Sequence, residues 1–222
     1  MGGRQHAVFS NRVRKTHEER DRQRDKLPAL APSHFYAAGD RQQVIMESRS
    51  VEEVYERNDL IRGRLNEVLG SLNEAQLNNL PEGEKWTIAN VVEHVSLVES
   101  NMIRICAKLL GKAEADGKMG DGSIANSASF KEKAAEVATL KLEAPEFVQP
   151  TCKQTIDESL EKMNENRTKL IELKSQFEKF DSTGNRFPHP FFGDLSAAEW
   201  LTLIGGHKAR HIKQIEKLAE KQ

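Results

Sequence analysis

Two histidines four residues apart, His207 and His211, lie in the segment GGHKARH, where the apolar residues otherwise follow one face of a helix. At 100° per residue, both fall about 20° from Trp200 on the helical wheel, in the middle of the apolar stripe. A single inward histidine is usually a core residue bonded to a carbonyl or carboxylate. Two are harder to satisfy, because each neutral ring has one donor and one acceptor. A metal ion can accept one nitrogen from each ring, and this spacing suits metal sites.

A third histidine borders the buried face of another predicted helix. In the segment WTIANVVEHVSLVE, His94 lies about 60° from Val91, which belongs to that helix's apolar stripe. Three imidazoles suit zinc, nickel, copper or iron. The pattern alone leaves two interpretations equally open, a metal site and a set of hydrogen-bonded core histidines.

Four helices of roughly 25 residues are predicted to position these side chains. Three begin with the capping pattern Ser or Thr, two residues, then Glu, at Ser50, Thr155 and Ser196. The second helix begins after Thr87 and lacks the reciprocal Glu. Strand patterns are absent. The sequence therefore predicts an all-α fold, a four-helix bundle.

The connections predict the order of the helices. A short turn joins the first two, whereas about 40 residues, from Gly111 to Pro150, separate the second from the third. A connection of that length can cross over along the bundle, so the second and third helices are expected to run parallel. The predicted arrangement is up-down-down-up, with a long crossover between helices 2 and 3. We expect the segment GKMGDGSIANSAS to be a mobile part of that crossover.

Composition limits the function. The 222-residue chain is 37% apolar and 30% charged, with a formal net charge of −1. This balance gives no global attraction to nucleic acid, and no run of about 18 apolar residues could span a membrane. Two cysteines cannot form a disulfide framework, so a reduced cytoplasmic setting is expected.

The chain is predicted to divide near residue 46. Residues 1–45 contain nine basic and five acidic residues without apolar periodicity, which is typical of a basic, disordered N-terminal extension. A nucleic-acid arm and a basic targeting extension are the alternatives. Met46 is followed directly by ESRSVEEVYERNDL, which contains the first capping pattern, so it could be the natural start of the folded domain. We therefore place the folded domain at residues 46–222.

Three segments resemble the DinB-like domain family, the DinB/YfiT-like metalloenzymes: WTIANVVEHVSLVE, APEFVQPT and PHPFFGDLSAAEWLTLIGGHKARHIKQI. The resemblance covers about residues 47–220 and implies an up-down-down-up bundle. It also implies one divalent metal, commonly zinc or nickel, bound by a histidine of the second helix and two positions of the fourth. Carried over to this sequence, those ligands are His94, His207 and His211.

The resemblance also bears on activity. Characterised relatives include transferases and isomerases that use low-molecular-weight thiols such as mycothiol or bacillithiol, and hydrolase-like members. It implies a metal-dependent transferase or hydrolase with a small-molecule substrate, and a homodimer for which the sequence shows no heptad seam. The alternative is a non-catalytic metal-binding or interaction protein of the same fold.

Other residues are weaker candidates. His189 could approach the site, but its flanking prolines favour a role in shaping the loop. Arg167 could bind an anion, although reaching out to solvent is the usual behaviour. Cys106 is predicted to fill the core. Further residues are expected to line the pocket or to pack: Tyr55, Asn58 and Arg62 as lining, Trp86 and Trp200 as packing.

Overall fold

The computed structural model describes residues 50–140 and 142–221. The predicted N-terminal extension lies outside these ranges. Four long helices form the predicted bundle: α1 Val51–Gly70, α3 Ile88–Ala115, α5 Ile156–Glu172 and α7 Ala197–Ala219. The connections contain α2 Glu74–Asn78, α4 Ala128–Thr139, a 3₁₀ turn Glu146–Val148, α6 Lys174–Lys179 and strands β1 Arg186–His189 and β2 Gly193–Ser196. The all-α, four-helix-bundle prediction is confirmed.

Side-chain caps set the starts of the long helices where the sequence predicted them. The side chains of Ser50, Thr155 and Ser196 each accept the backbone N–H of the glutamate three residues on. Each cap residue also donates its own backbone N–H to the carboxylate of that glutamate. At Thr87 the reciprocal partner is present after all, because the side chain of Asn90 accepts the Thr87 backbone N–H. The amide oxygen of Asn90 thus accepts the hydrogen bond that a glutamate carboxylate accepts in the other three long helices.

Contacts between helices give their directions. Cys106 of α3 lies against the carbonyl of Ala197 at the start of α7, and Glu99 bonds Lys208 farther along, so α3 and α7 are antiparallel. Asn58 of α1 donates to the Leu201 carbonyl, and Arg64, later in α1, pairs with Glu216, so α1 and α7 are parallel.

The long connections place α3 and α5 in parallel. Glu93 and Ser96, early in α3, bond Cys152 before α5 and Asn166 within it. Leu109, late in α3, accepts a bond from Asn185, which follows α5. Together with the antiparallel α3–α7 pair, this order gives the up-down-down-up arrangement.

The expectation that strands are absent is wrong. Strands β1 and β2 form an antiparallel hairpin immediately before α7, with Arg186 opposite Ser196 and His189 opposite Gly193. Four residues per strand are too few for a clear alternation of apolar and polar positions. Gly193 has φ of 74°, a conformation that glycine adopts without steric cost and that lets the turn close.

The crossover is tied to the bundle. Segment 117–129, which was predicted to be mobile, accepts two backbone hydrogen bonds from elsewhere in the chain. The Gly122 carbonyl accepts the backbone N–H of Val51, and the Lys118 carbonyl accepts that of Asp181. Ile124 is buried in the core. Gly120 lies so close to the Phe180 carbonyl that a Cβ atom there would overlap it. The close approach of two backbones therefore explains this glycine better than flexibility does.

Two apolar clusters fill the bundle, one at each end. One contains the start of α1, the later half of α3 and the start of α7, whereas the other contains the opposite halves of these helices. Four buried polar side chains lie between the clusters, and we call them the polar layer: Asn58, Glu99, Asn166 and Lys208. Among the helices in residues 50–140 and 142–221, none combines the length and apolar composition that crossing a bilayer requires.

Candidate metal centre

The three predicted ligands converge between α3 and α7. One nitrogen from each of His94, His207 and His211 lies within 4.8 Å of the other two. The ring centroids are 5.2 Å apart for His94 and His207, 4.8 Å for His94 and His211, and 4.4 Å for the α7 pair. The pair on α7 meets because residues four apart share a helix face. The antiparallel packing of α3 brings the third ring to them.

Hydrogen bonds fix which nitrogen of two rings is available. His94 Nδ1 lies 2.7 Å from the Val148 carbonyl oxygen, which can only accept, so Nδ1 carries the hydrogen. His211 Nδ1 lies 2.8 Å from Oε1 of Gln214 and donates to it in the same way. In both rings Nε2 is left with its lone pair. Such bonds orient metal-binding histidines and set their tautomer.

The spacing of the nitrogens fits a transition metal. Nε2 of His207 lies 3.1 Å from Nε2 of His211. Two nitrogens of a tetrahedral zinc at roughly 2.05 Å are about 3.3 Å apart, so this pair needs almost no movement. His94 approaches from the facing helix, where its buried ring is held by the Val148 bond. The donor set therefore fits a divalent metal that prefers imidazole.

Burial keeps the three imidazoles neutral, which is the form that binds metal. Burial lowers the pKa of His94, although the bond to Val148 opposes this effect. Burial also lowers the pKa of His211 to about 3, and the neighbouring charge of His94 adds to it. The pKa of His207 lies well below its usual value, first through burial and then through the other two histidines.

Two basic residues of α7 flank the ligands. Lys208 forms a buried ion pair with Glu99 of α3, with 2.7 Å between Nζ and Oε1. Arg210 donates to the carbonyls of Val137 and Leu140 at the end of α4, which anchors that helix beside the site. Both cations also have a structural role, since each ties α7 to another part of the chain.

His189 lies in the hairpin that precedes α7. Its ring packs 5.1 Å from Trp200 and 4.9 Å from Phe192, between centroids, and its Nδ1 accepts the Phe191 backbone N–H. The loop-shaping interpretation therefore agrees with these contacts. The charge of His189 is a minor cause of the lowered pKa of His207. Burial lowers the pKa of His189 to about 4.

The other predicted site residues have structural partners. Tyr55 donates to the Leu170 carbonyl and Asn58 to the Leu201 carbonyl, and Arg62 donates to the Met163 carbonyl. These bonds join α1 to α5 and α7. Arg167 forms a two-point ion pair with Asp59 near the surface, and Cys106 is fully buried. None of the five is brought to the histidines by these contacts.

Sequence reasoning missed the buried acidic residues of α3. Glu93 is 0% exposed and Glu99 is 5% exposed. A usable signal was present for Glu99, because at about 100° per residue it falls between Val95 and Val92 on the helical wheel, inside the apolar arc of α3. Acidic residues inside such a helix must have partners within the protein.

Comparison with known proteins agrees with the four-helix-bundle fold. The family model of the DinB superfamily matches residues 57–215. The uncharacterized protein YuaE of Bacillus subtilis (strain 168) is 27% identical over 163 residues, covering 70% of this chain and 90% of YuaE. The crystal structure of TT2238, a four-helix bundle protein, superposes with a TM-score of 0.51 at 24% identity, over 76% of this chain and 99% of that one. The match over most of the chain shows that this protein belongs to the DinB superfamily.

Proposed function

We propose that this protein is a metal-dependent enzyme of the thiol-transferase or hydrolase type, in which His94, His207 and His211 hold one divalent ion, zinc or nickel. The observation that carries the proposal is the convergence of three neutral imidazoles, two of them with Nδ1 already engaged and Nε2 available. Three protein nitrogens leave part of a coordination sphere open, which is the pattern of catalytic zinc sites.

The buried thiol of Cys106 is not an activated nucleophile. Burial raises the pKa of Cys106, and its Sγ faces the Ala197 carbonyl. A divalent metal in this site supplies the missing chemistry when bound, because it lowers the pKa of a water or of a low-molecular-weight thiol at its open position. The second substrate is then a small electrophile, and the residues around the site bind and orient it.

Metal content tests the ligand assignment. Protein purified without added metal should contain one divalent ion per chain, measured by plasma mass spectrometry. Replacing His94, His207 or His211 with Ala should remove most of it, because two imidazoles bind far more weakly than three. His189→Ala is the matched control and should retain the metal. Full occupancy in His207→Ala would overturn the assignment.

Cobalt substitution tests the reaction class. A thiol that binds at the open position adds a sulfur-to-cobalt charge-transfer band, whereas water does not. A panel of low-molecular-weight thiols, including mycothiol and bacillithiol, should produce this band in the wild-type protein. A spectrum that no thiol changes would reject the thiol-transferase class and leave the hydrolase class, which turnover of ester and amide substrates then tests. Absence of turnover with both panels would favour the non-catalytic alternative.

A further inference from the structure

Glu93, the residue before His94, is fully buried and binds the end of the crossover. Its Oε1 accepts both the backbone N–H of Thr151, at 2.8 Å, and the hydroxyl of Thr151, at 2.7 Å. Its Oε2 accepts the backbone N–H of Cys152, at 3.1 Å. One two-residue turn therefore satisfies both oxygens of the carboxylate.

The same stretch of crossover also orients a metal ligand. Val148, three residues before Thr151, provides the carbonyl that accepts the Nδ1–H of His94. Adjacent residues of α3 thus hold one short segment at two points, Glu93 at the turn and His94 at the carbonyl. Because the segment is short, the position of the turn limits where the carbonyl can lie.

The backbone of the turn is strained to reach the carboxylate. Cys152 has φ of 59°, in the left-handed region, which costs a residue other than glycine about 1–2 kcal/mol. This conformation allows the successive N–H groups of Thr151 and Cys152 to point at one carboxylate, as in the backbone concavities that bind anions. Strain of this kind persists where the surroundings hold it in place.

Stability alone does not account for a carboxylate at this position. Burying an ionised carboxyl group costs several kcal/mol before its partners compensate, and an apolar side chain would fill the space without that cost. The three hydrogen bonds offset the cost only while the turn is docked. The carboxylate therefore favours one docked position of the turn, because its burial cost is offset only in that position.

We propose that Glu93 is a positioning residue of the metal centre. It fixes the Thr151–Cys152 turn, so that the Val148 carbonyl holds the His94 ring with Nε2 directed toward His207 and His211. The proposal rests on the metal site put forward above. It adds that the end of the crossover and the metal centre are coupled through one buried carboxylate.

Cobalt affinity tests the coupling. The metal-free full-length chain is titrated with Co²⁺ against a competing chelator. Glu93→Gln keeps the size of the side chain but places an NH₂ group against an N–H donor, and it should weaken cobalt binding at least tenfold, as loss of ligand-orienting partners typically does. Glu53→Gln is the matched control, because Glu53 accepts the backbone N–H and hydroxyl of Ser50 near the opposite end of α3. Its affinity should change less than twofold.

A second measurement needs no metal. In ¹⁵N-labelled metal-free protein, the Nδ1–H of His94 should give a slowly exchanging imidazole signal, which Glu93→Gln should lose and Glu53→Gln should keep. If wild-type protein binds no cobalt, the metal centre itself is refuted, while this signal still tests the link from Glu93 to His94. A folded Glu93→Gln with wild-type cobalt affinity and an unchanged signal would overturn the proposal.

Thr151 provides a milder variant in case Glu93→Gln does not fold. Thr151 is exposed, so Thr151→Val should fold while losing the hydroxyl bond to Oε1. We expect cobalt binding several-fold weaker in Thr151→Val and restored in Thr151→Ser. A folded Thr151→Val with wild-type cobalt affinity and an unchanged His94 signal would contradict the role of the turn.

Discussion

The buried ion pair between Lys208 and Glu99 should dominate the stability of the polar layer. The side chains are 4% and 5% exposed, and Nζ lies 2.7 Å from Oε1. At an effective dielectric of about 20, this distance corresponds to an attraction of about 6 kcal/mol, most of which offsets the cost of taking both charges out of water. Oε2 of Glu99 has no hydrogen-bond partner in the described part of the chain, so the compensation is incomplete.

Removing one partner therefore leaves an unpaired buried charge. We expect Lys208→Met and Glu99→Leu each to lower the free energy of unfolding by about 3–5 kcal/mol. The double variant should be close to the wild type or more stable, because an apolar pair of similar volume carries no desolvation cost. With these values the coupling energy, which is the change in the double variant minus the sum of the two single changes, should be about 6 kcal/mol or more in magnitude.

The assay is urea unfolding of chelator-treated protein, followed by far-ultraviolet circular dichroism, so that bound metal does not mask the effect. Lys162→Met is the matched control, because Lys162 forms a 3.0 Å pair with Glu165 at the surface of α5. Its unfolding midpoint should not change measurably. If Lys208→Met shifted the midpoint no more than Lys162→Met, the reasoning about the buried pair would be refuted.

Three further predictions concern packing, pH and the N-terminal segment. Gly205→Ala should cost about 1–3 kcal/mol in urea unfolding because its Cβ would overlap Asn58, whereas Gly111→Ala, with open space around it, should cost nothing. Burial lowers the pKa of His189 to about 4, so the unfolded chain protonates first as the pH falls below about 6.5. His189 alone should account for a loss of about 1–3 kcal/mol between pH 6.5 and 4, so His189→Gln should make that part of the profile less steep, while His94, His207 and His211, whose pKa values are also lowered, keep the remaining slope. Deleting residues 1–45 should change thermal stability by less than about 0.5 kcal/mol, and a larger loss would mean that the segment packs on the bundle.

Local signals made much of the fold predictable from the sequence. A capping residue acts on backbone groups within three positions of itself, so Ser50, Thr155 and Ser196 could be identified without knowledge of the tertiary structure. The convergence of His207 and His211 is also local, because it follows from the pitch of one helix. His94 needed both the apolar periodicity of α3 and the family resemblance.

The remaining features depend on contacts between segments far apart in the chain. The backbone bonds of the crossover to α1 and to the segment after α6 have no signature in a glycine-rich sequence, which is why segment 117–129 looked mobile. The pairing of Glu93 with Thr151 joins residues 58 positions apart. Such pairs become visible only when the path of the crossover is known.

The polar layer and the metal centre depend on the same alignment of helices. Moving α7 by one turn along α3, about 5.4 Å, would separate Lys208 from Glu99 and would carry His207 and His211 away from His94. An uninterrupted apolar core would be less sensitive to such a shift, because apolar contacts are not directional. Buried polar pairs can fix helix register at a cost in stability, and here that register is the one that assembles the three imidazoles. The apolar clusters at the two ends of the bundle supply the stability that offsets this cost, and the polar layer selects the alignment that brings the three imidazoles together.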